Sequence, residues 1–367
     1  MRILFLGEYS NLHNTLAKAL RIVGHEVFVI SDGDGWKGYE NDVTLRRESN
    51  TLLGSIKYGT NLIKLLPFMR GFDVVQIINP VFIKMRTDKN RMLFDYLKKH
   101  NKSVFLGAFG SDYYIVKGSE DNNMLNYSEY YYDGRRAEND MINLQRFCWK
   151  ETSRKELTQY IAQECNGIIA CLYEYYKIYN SVFDDKVEYI PLPVEISEKR
   201  TSNMPESLDQ INILIGIQKE REHLKGTDIV LPVLKQIAND YKYEVSLNAV
   251  YSLPYQLYIR QLEACNLLFD QLFSYTPAMN ALIAMSKGIV VAGGGEEEMY
   301  DFIKEPILRP IINITPDRNS LYTQFENIIK EKQRLPLLSR QSIEFVEKHH
   351  NYISVAQKYL KFWKERM

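Results

Sequence analysis

The sequence predicts an α/β protein built from two parallel-sheet domains, each doubly wound with helices on both faces, that meet at a ligand cleft. Three observations carry this. Strand and helix patterns alternate through the first half of the chain, a proline- and serine-rich break follows, and the same alternation then resumes. The length of 367 residues suits two cores of about 150–200 residues each.

Residues 2–6 are an uninterrupted apolar run and read as a buried strand. Residues 11–23 place Leu12, Leu16, Leu20 and Val23 on one helical face, Gly24-His25 ends the helix, and residues 26–31 form the next strand, a βαβ opening. The turn Gly7-Glu8-Tyr9-Ser10 lies at the carboxyl end of the first strand, where ligands approach such sheets, but with one glycine it is not a dinucleotide fingerprint. Strands follow at 72–78 and 103–106, separated by a helix over 88–100. A helix over 151–165 introduces a strand at 167–172, and 187–190 is another. Residues 191–208, PLPVEISEKRTSNMPESL, break the pattern and mark a linker. Strands at 211–217, 243–250, 267–269 and 289–292 then alternate with helices at 227–241, 254–264 and 278–286. Beyond Asn319 the chain reads as mostly helical and ends in an amphipathic stretch, 354–363.

Lys plus Arg balance Asp plus Glu at 46 each, which argues against nucleic acid as a partner. The four cysteines show no CxxC spacing and the six histidines no cluster, so no metal site or disulfide framework is expected, and the cytoplasm is the expected location. The start, MRILFLGEYS, reads as a strand and not a signal peptide, and no apolar run reaches the ~18 residues of a membrane span. Residues 49–71 mix Leu, Ile and Phe with Lys57, Lys64 and Arg70. They read either as an amphipathic basic helix for an anionic membrane surface or as a solvated surface helix, with Gly59 and Pro67 arguing against continuity. The cluster Tyr127, Tyr130, Tyr131 and Tyr132 reads as an aromatic loop packing on its own domain, or as a sugar-stacking surface.

Two stretches point to anion chemistry. Gly216 ends a strand, and Lys219, Arg221 and Lys225-Gly226 follow before a helix begins. Cations at a strand's carboxyl end can neutralise a diphosphate and stabilise it as a leaving group. In SYTPAMNALIAMSKGIVVAGGGEEEM, residues 274–299, a buried strand runs into Gly293-Gly294-Gly295, whose backbone amides could approach a phosphate. The following Glu296, Glu297 and Glu298 lie at a helix start, and Thr276 and Asn280 offer polar contacts at the start of the preceding helix.

The order of these signals resembles the GT-B glycosyltransferases, and among them the retaining family 4. The resemblance spans most of the chain and rests on the opening 31 residues, on VEYIPLPVE, on INILIGIQKEREHLKGTDI and on LIAMSKGIVVAGGGEEE. It implies a diphosphate held by Arg221 and Lys225, metal-independent transfer with retention, and a leaving phosphate that assists the acceptor's deprotonation. One departure stands out. The family's two glutamates, eight positions apart, fall on Tyr275 and Ile283, and neither side chain can accept a ribose hydroxyl's hydrogen bond as a carboxylate does. Either the acidic function has moved to Glu296, Glu297 or Glu298, or Asn280 and Thr276 hold the donor differently, or turnover has been lost. Phe109-Gly110-Ser111-Asp112 resembles the family's HGxD turn, with Asp112 orienting an acceptor or capping a helix.

The expected layout is an acceptor domain at 1–193, a linker at 194–209, a donor domain at 210–345 and a terminal helix at 346–367 packing back on the first domain. Arg221, Lys225 and Asp112 are the expected catalytic residues. Gly216, Lys219, Thr276, Asn280, Gly293, Gly294, Gly295 and Glu296 are expected on the donor side, and Gly7, Glu8, Tyr9 and Ser10 on the acceptor side. The expected reaction moves a sugar from a nucleotide-diphosphate sugar to a glycan or lipid-linked acceptor in surface polysaccharide assembly, with no cofactor. The alternatives are a degenerate nucleotide-binding partner subunit and, more remotely, a sugar-nucleotide epimerase.

Overall fold

The computed structural model describes residues 1–196, 202 and 204–367. Part of the expected linker, at 197–201 and 203, lies outside the described residues. In chain order the strands are β1 (Arg2–Leu6), β2 (Glu26–Ser31), β3 (Val43–Thr44), β4 (Val74–Ile77), β5 (Ser103–Ala108), β6 (Tyr131–Tyr132), β7 (Arg135–Arg136), β8 (Gly167–Ala170) and β9 (Val187–Tyr189). The second domain adds β10 (Ile211–Ile217), β11 (Val245–Tyr251), β12 (Leu267–Phe269), β13 (Val290–Gly293) and β14 (Ile312–Asn313).

The first sheet has the order β3-β2-β1-β4-β5-β8-β9 and the second β11-β10-β12-β13-β14, and every pairing in both is parallel. Because helices cover both faces, the central strands are buried throughout: Ile3, Leu4, Phe5 and Leu6 of β1 are all at most 1% exposed. The strand order reverses beside β1 and beside β10. Crevices at the carboxyl ends of strands open at such switch points. Gly7 follows β1 and Gln218 follows β10, so the two turns picked out in the sequence both lie at switch points.

The helix Leu12–Ile22 begins with an inward-turned acid. Glu8 is 2% exposed and accepts from the backbone N–H of His13 at 3.3 Å and of Asn14 at 2.9 Å, filling amides that the helix itself leaves open. Burial, the largest influence, raises its carboxyl to about 8 against those two bonds.

The chain's end returns to the first domain. Helix Leu335–His350 packs along Met279–Ser286, and Asn351 then caps helix Tyr352–Arg366 by accepting from Ile353 N at 3.0 Å. That last helix lies on Leu12–Ile22 and sets Trp363 6.1 Å from Phe5 and Phe362 5.7 Å from Phe105, ring to ring. The two interdomain crossings are stitched side by side, since Val194 N donates to His350 O at 2.7 Å and Tyr352 N to Val194 O at 3.0 Å. The segment 49–71 forms one continuous helix, Leu52–Leu65, with Gly59 inside it and Pro67 just beyond its end.

Two measurements check this arrangement. Trp363→Ala removes a side chain with 0% exposure, and should cost about 3–5 kcal/mol, read as an earlier urea midpoint for the first domain. Glu8 binds its proton more tightly folded than unfolded, so its contribution is complete below pH 4.5 and is lost as pH rises towards 8. Glu8→Gln should remove that loss. The wild-type minus variant stability should fall between pH 5 and 8 by at most about 1.4 kcal/mol per unit.

Candidate active site

The loop after β10 carries the cations. Arg221 precedes a single helical turn, Glu222–Lys225, which Gly226 closes with φ +68°. A Cβ on Gly226 would lie 2.6 Å from Leu272 Cβ, and Leu272 N donates to Lys225 O at 2.8 Å, so the Lys-Gly pair is shaped by this close approach as well as by the turn. Neither Arg221 nor Lys225 has a carboxylate within ion-pairing distance among the described residues. Burial is the main cause that lowers Lys225's proton affinity; Arg221 and Lys37 add repulsion and Asp270 opposes it.

Lys225 lines a pocket of about 810 Å³, partly open to solvent, between the domains. Gly216 and Asn280 line it too, as does Ile283. Its walls are largely apolar, with Val250, Tyr258 and Met279 from the second domain, while Ser10, Lys37 and Tyr39 close it from the first. Tyr39 meets Tyr255 edge-on at 5.6 Å across the mouth. Asp270, 4% exposed at the end of β12, accepts from Asn280 Nδ2 at 2.8 Å and so fixes the amide in the pocket.

On the first domain's side, Ser10 N donates to Asp34 Oδ2 at 2.9 Å and Lys37 Nζ pairs with the same oxygen at 2.6 Å, which holds the turn after β1. Burial raises the Tyr9 hydroxyl to about 12, with Asp34 adding and Arg221 opposing, so Tyr9 and Arg221 sense each other across the cleft. Glu8, expected to face an acceptor, instead turns inward as the helix cap described above. Asp112 is likewise fully buried. It caps helix Tyr113–Ser119 by accepting from Ile115 N at 3.0 Å and takes the Tyr179 hydroxyl at 2.7 Å on its other oxygen, and burial raises it to about 6. Both oxygens are thus engaged in structure, and the capping alternative describes the residue.

Several expected donor-side residues form a clamp between the domains, away from the pocket. Glu174, at the start of helix Tyr173–Phe183, is 6% exposed and accepts from Ser274 Oγ at 3.3 Å, Tyr275 N at 3.3 Å and Thr276 Oγ1 at 2.8 Å. Burial raises its carboxyl against those bonds. Tyr127 stacks on Tyr275 at 4.7 Å, its N–H donates to the Tyr275 hydroxyl at 3.0 Å, and its own hydroxyl donates to Glu296 Oε1 at 2.7 Å. Glu296 also takes Asn313 Nδ2 at 2.8 Å. Glu298 accepts from Asn126 at 3.0 Å and from the Tyr173 hydroxyl at 2.9 Å. The aromatic loop therefore does both: Tyr130 packs on its own domain among Val116, Ala137, Ile142 and Trp149, while Tyr127 and Tyr132 reach Tyr275 and Phe273 of the opposite one.

The glycine run serves the same junction. A Cβ on Gly294 would come within 2.2 Å of Ser274 O and one on Gly295 within 2.7 Å of Ile311, while Gly295 N donates to Asn313 and Glu296 N to Tyr275 O. These amides are engaged by the protein instead of facing the pocket. Lys219 is exposed on the loop, its N–H bonded to Ser252 Oγ at 3.1 Å. Sequence reasoning missed Lys37, Glu129, Glu174 and Asp270, because single charged residues scattered through loops and element ends carry no spacing signal. Glu129, beside Tyr127, is partly buried; burial raises it to about 7, with Glu174 adding and Arg221 opposing. Among the described residues no group of three or more His, Cys, Asp or Glu side chains is placed to hold a metal ion.

No family model matches the chain and no curated protein matches it in sequence. Solved structures match it over nearly its whole length. WaaG, a glycosyltransferase involved in lipopolysaccharide biosynthesis, aligns with TM-score 0.59 and 12% identity over 97% of this chain and 98% of its own. HepE of Anabaena, solved with UDP and glucose, aligns with TM-score 0.59 and 11% identity over 100% of both chains. A putative UDP-N-acetylglucosamine 2-epimerase from Listeria monocytogenes aligns with TM-score 0.55 and 11% identity over 98% of this chain and 94% of its own. With two parallel sheets joined across a cleft and a terminal helix returning to the first, the chain has the GT-B fold.

Proposed function

We propose that the protein is a glycosyltransferase that takes a sugar from a nucleoside-diphosphate sugar, with no cofactor or metal, and passes it to a glycan or lipid-linked acceptor in surface polysaccharide assembly. The observation that carries this reading is Lys225 in the wall of a largely apolar interdomain pocket, with Arg221 close enough to repel it and no carboxylate in ion-pairing distance of either among the described residues. Lys225 is partly buried and Arg221 exposed, and a diphosphate would supply the counter-charge that neither has within ion-pairing distance among the described residues. The apolar shelf of Val250, Tyr258, Met279 and Ile283 fits a nucleobase and ribose. UDP is the favoured nucleotide because HepE, of the same fold, holds UDP. With Ile283 at the expected ribose glutamate, ribose hydroxyls fall to Asn280, Gln218 and Ser252, which line the pocket.

The acceptor would be met near a membrane surface on the cytoplasmic side. Helix Leu52–Leu65 turns Tyr58 and Leu62 inward, while Leu52 (77% exposed), Leu53, Ile56 and Ile63 (66%) stand in solvent beside Lys57 and Lys64. No described helix is long and apolar enough to cross a membrane, so this contact would be peripheral.

Calorimetric titration of UDP, GDP, CMP and their sugar conjugates tests the donor site. One diphosphate should bind, and Lys225→Ala should weaken it by roughly 1.5–3 kcal/mol. If none binds, the transferase reading fails and a GT-B partner subunit remains. Co-sedimentation with vesicles containing anionic lipid tests the surface helix. Ile56→Glu with Ile63→Glu should abolish sedimentation while leaving nucleotide affinity intact, and equal sedimentation of the double variant would remove the membrane contact.

A further inference from the structure

A second groove between the domains shares no lining residue with the pocket of Lys225. On one side stand Asn126, Tyr127, Asp133 and Arg135, on the chain that runs into the β6–β7 hairpin of the first domain. On the other stand residues 315–319, which follow β14 of the second. The space they enclose is about 1040 Å³ and open to solvent.

Both walls are braced. On the first, Ser128 bridges to Tyr131, and Arg146 donates to Tyr130 O at 3.2 Å and to Ala137 O at 2.7 Å. On the second, the Gln324 side chain accepts from Thr315 N at 2.9 Å and donates to Thr315 O at 3.2 Å, while Asp317 takes Asn319 N at 3.0 Å and Ser320 Oγ at 2.7 Å. Arg318 joins the two walls. Its backbone N–H donates to Asp133 Oδ1 at 3.3 Å, and its guanidinium lies 3.5 Å from Asp133 Oδ2 and donates to the Tyr132 hydroxyl at 3.3 Å. The Tyr132 ring in turn packs on Phe273 at 4.9 Å. Walls already held in place cost a ligand little ordering.

This bracing leaves polar groups over. The Arg135 guanidinium and the Asn319 side-chain amide are exposed and have no protein partner among the described residues, and Asn126, whose amide donates to Glu298 at 3.0 Å, keeps its carbonyl oxygen open. Arg135 offers donors alone, whereas the two asparagines add acceptors. The charges lining the groove balance, since Asp133 and Asp317 match Arg135 and Arg318. The pocket of Lys225 has a surplus of cations for an anion; this groove has fixed donors and acceptors with no net charge. That combination suits a neutral ligand dense in hydroxyls, each of which both donates and accepts. Tyr127 and Pro316 supply apolar surface for the C–H face of a sugar ring.

We propose that this groove binds a neutral saccharide chain, and that it holds sugars of a glycan acceptor remote from the reacting hydroxyl. They are remote because no residue of the groove lines the donor pocket. Saccharide binding stands on the groove alone, while the acceptor role rests on the transferase reading above.

The test is saturation-transfer NMR on the full chain with maltose, cellobiose and chitobiose as probes, inorganic phosphate and glucuronate as competitors, and UDP affinity measured in parallel. Wild type is compared with Arg135→Ala/Asn319→Ala, with Asn319→Ala alone and with Lys225→Ala. Both altered groove side chains are exposed, so the variants should keep the wild-type melting temperature. At least one neutral disaccharide should bind. The double variant should weaken it by about tenfold or more, as loss of a hydrogen bond to a charged group does, and Asn319→Ala by less. Lys225→Ala should leave it unchanged. No signal from any disaccharide overturns the proposal, as does equal binding by the double variant or loss of binding in Lys225→Ala, either of which places the sugar elsewhere. Displacement by phosphate or glucuronate marks an anion site and overturns the neutral ligand. Saccharide binding without any UDP binding upholds the groove and removes the transferase reading, so the two fail separately.

Discussion

A buried carboxylate at the domain junction governs how the two halves of this protein meet. Glu174 belongs to the first domain, but the donors that fill its oxygens, Ser274, Tyr275 and Thr276, all belong to the second. A carboxyl removed from water costs several kcal/mol unless its lone pairs are occupied. It is therefore tolerable with the domains closed and those donors in place, or with the domains parted and water admitted, and it penalises arrangements between the two. The closed junction also fixes the loop 274–276, which leads directly into helix Met279–Ser286. Asn280 and Ile283 on that helix line the pocket, so the acid's partners set the pocket's wall.

That junction explains why the donor side departs from the pattern the sequence resembles. Tyr275 stands where a glutamate was expected. It is 1% exposed, stacked under Tyr127 and bonded through its hydroxyl, and a carboxylate there could neither stack nor fit beside Glu174 and Glu296 without repulsion. The position has become an anchor between domains. The glycine run follows the same logic, because its lack of side chains lets β13 pass within van der Waals reach of Ser274 and Ile311. The Gly295 and Glu296 amides are thereby taken by Asn313 and Tyr275, which leaves the side chains Arg221 and Lys225 as the cations open to an anion.

The fold was legible because fully buried parallel strands advertise themselves as apolar runs, and nearly every central strand was found within two residues. The short edge strands β3 and β14 and the hairpin β6–β7, of two residues each, carry too little pattern to be read. At the site, Gly216, Lys225 and Asn280 could be placed because strand ends and the Lys-Gly turn constrain them locally. Glu8 and the glycine run turn out to serve the fold, and Asp112 takes the capping role that the sequence offered beside the acceptor one, for one reason: a strand's carboxyl end also needs helix caps and tight packing, and local sequence does not distinguish a polar group that faces a ligand from one that satisfies its own backbone. Glu174 was invisible because its meaning comes from contacts with residues of the other domain, about 100 positions away.

The charge distribution across the cleft couples an anion to the approach of its two walls. Burial is the main cause that lowers Lys225's proton affinity, and repulsion from Arg221 on its own loop and from Lys37 on the first domain adds to it, with Asp270 opposing. Lys37 is held beside the pocket by its pairing with Asp34 in the turn of its own domain. An anion seated between Lys37 and Lys225 would relieve that repulsion and raise Lys225's proton affinity, so a diphosphate and the ammonium's proton stabilise each other, and the same anion favours the approach of the two domains.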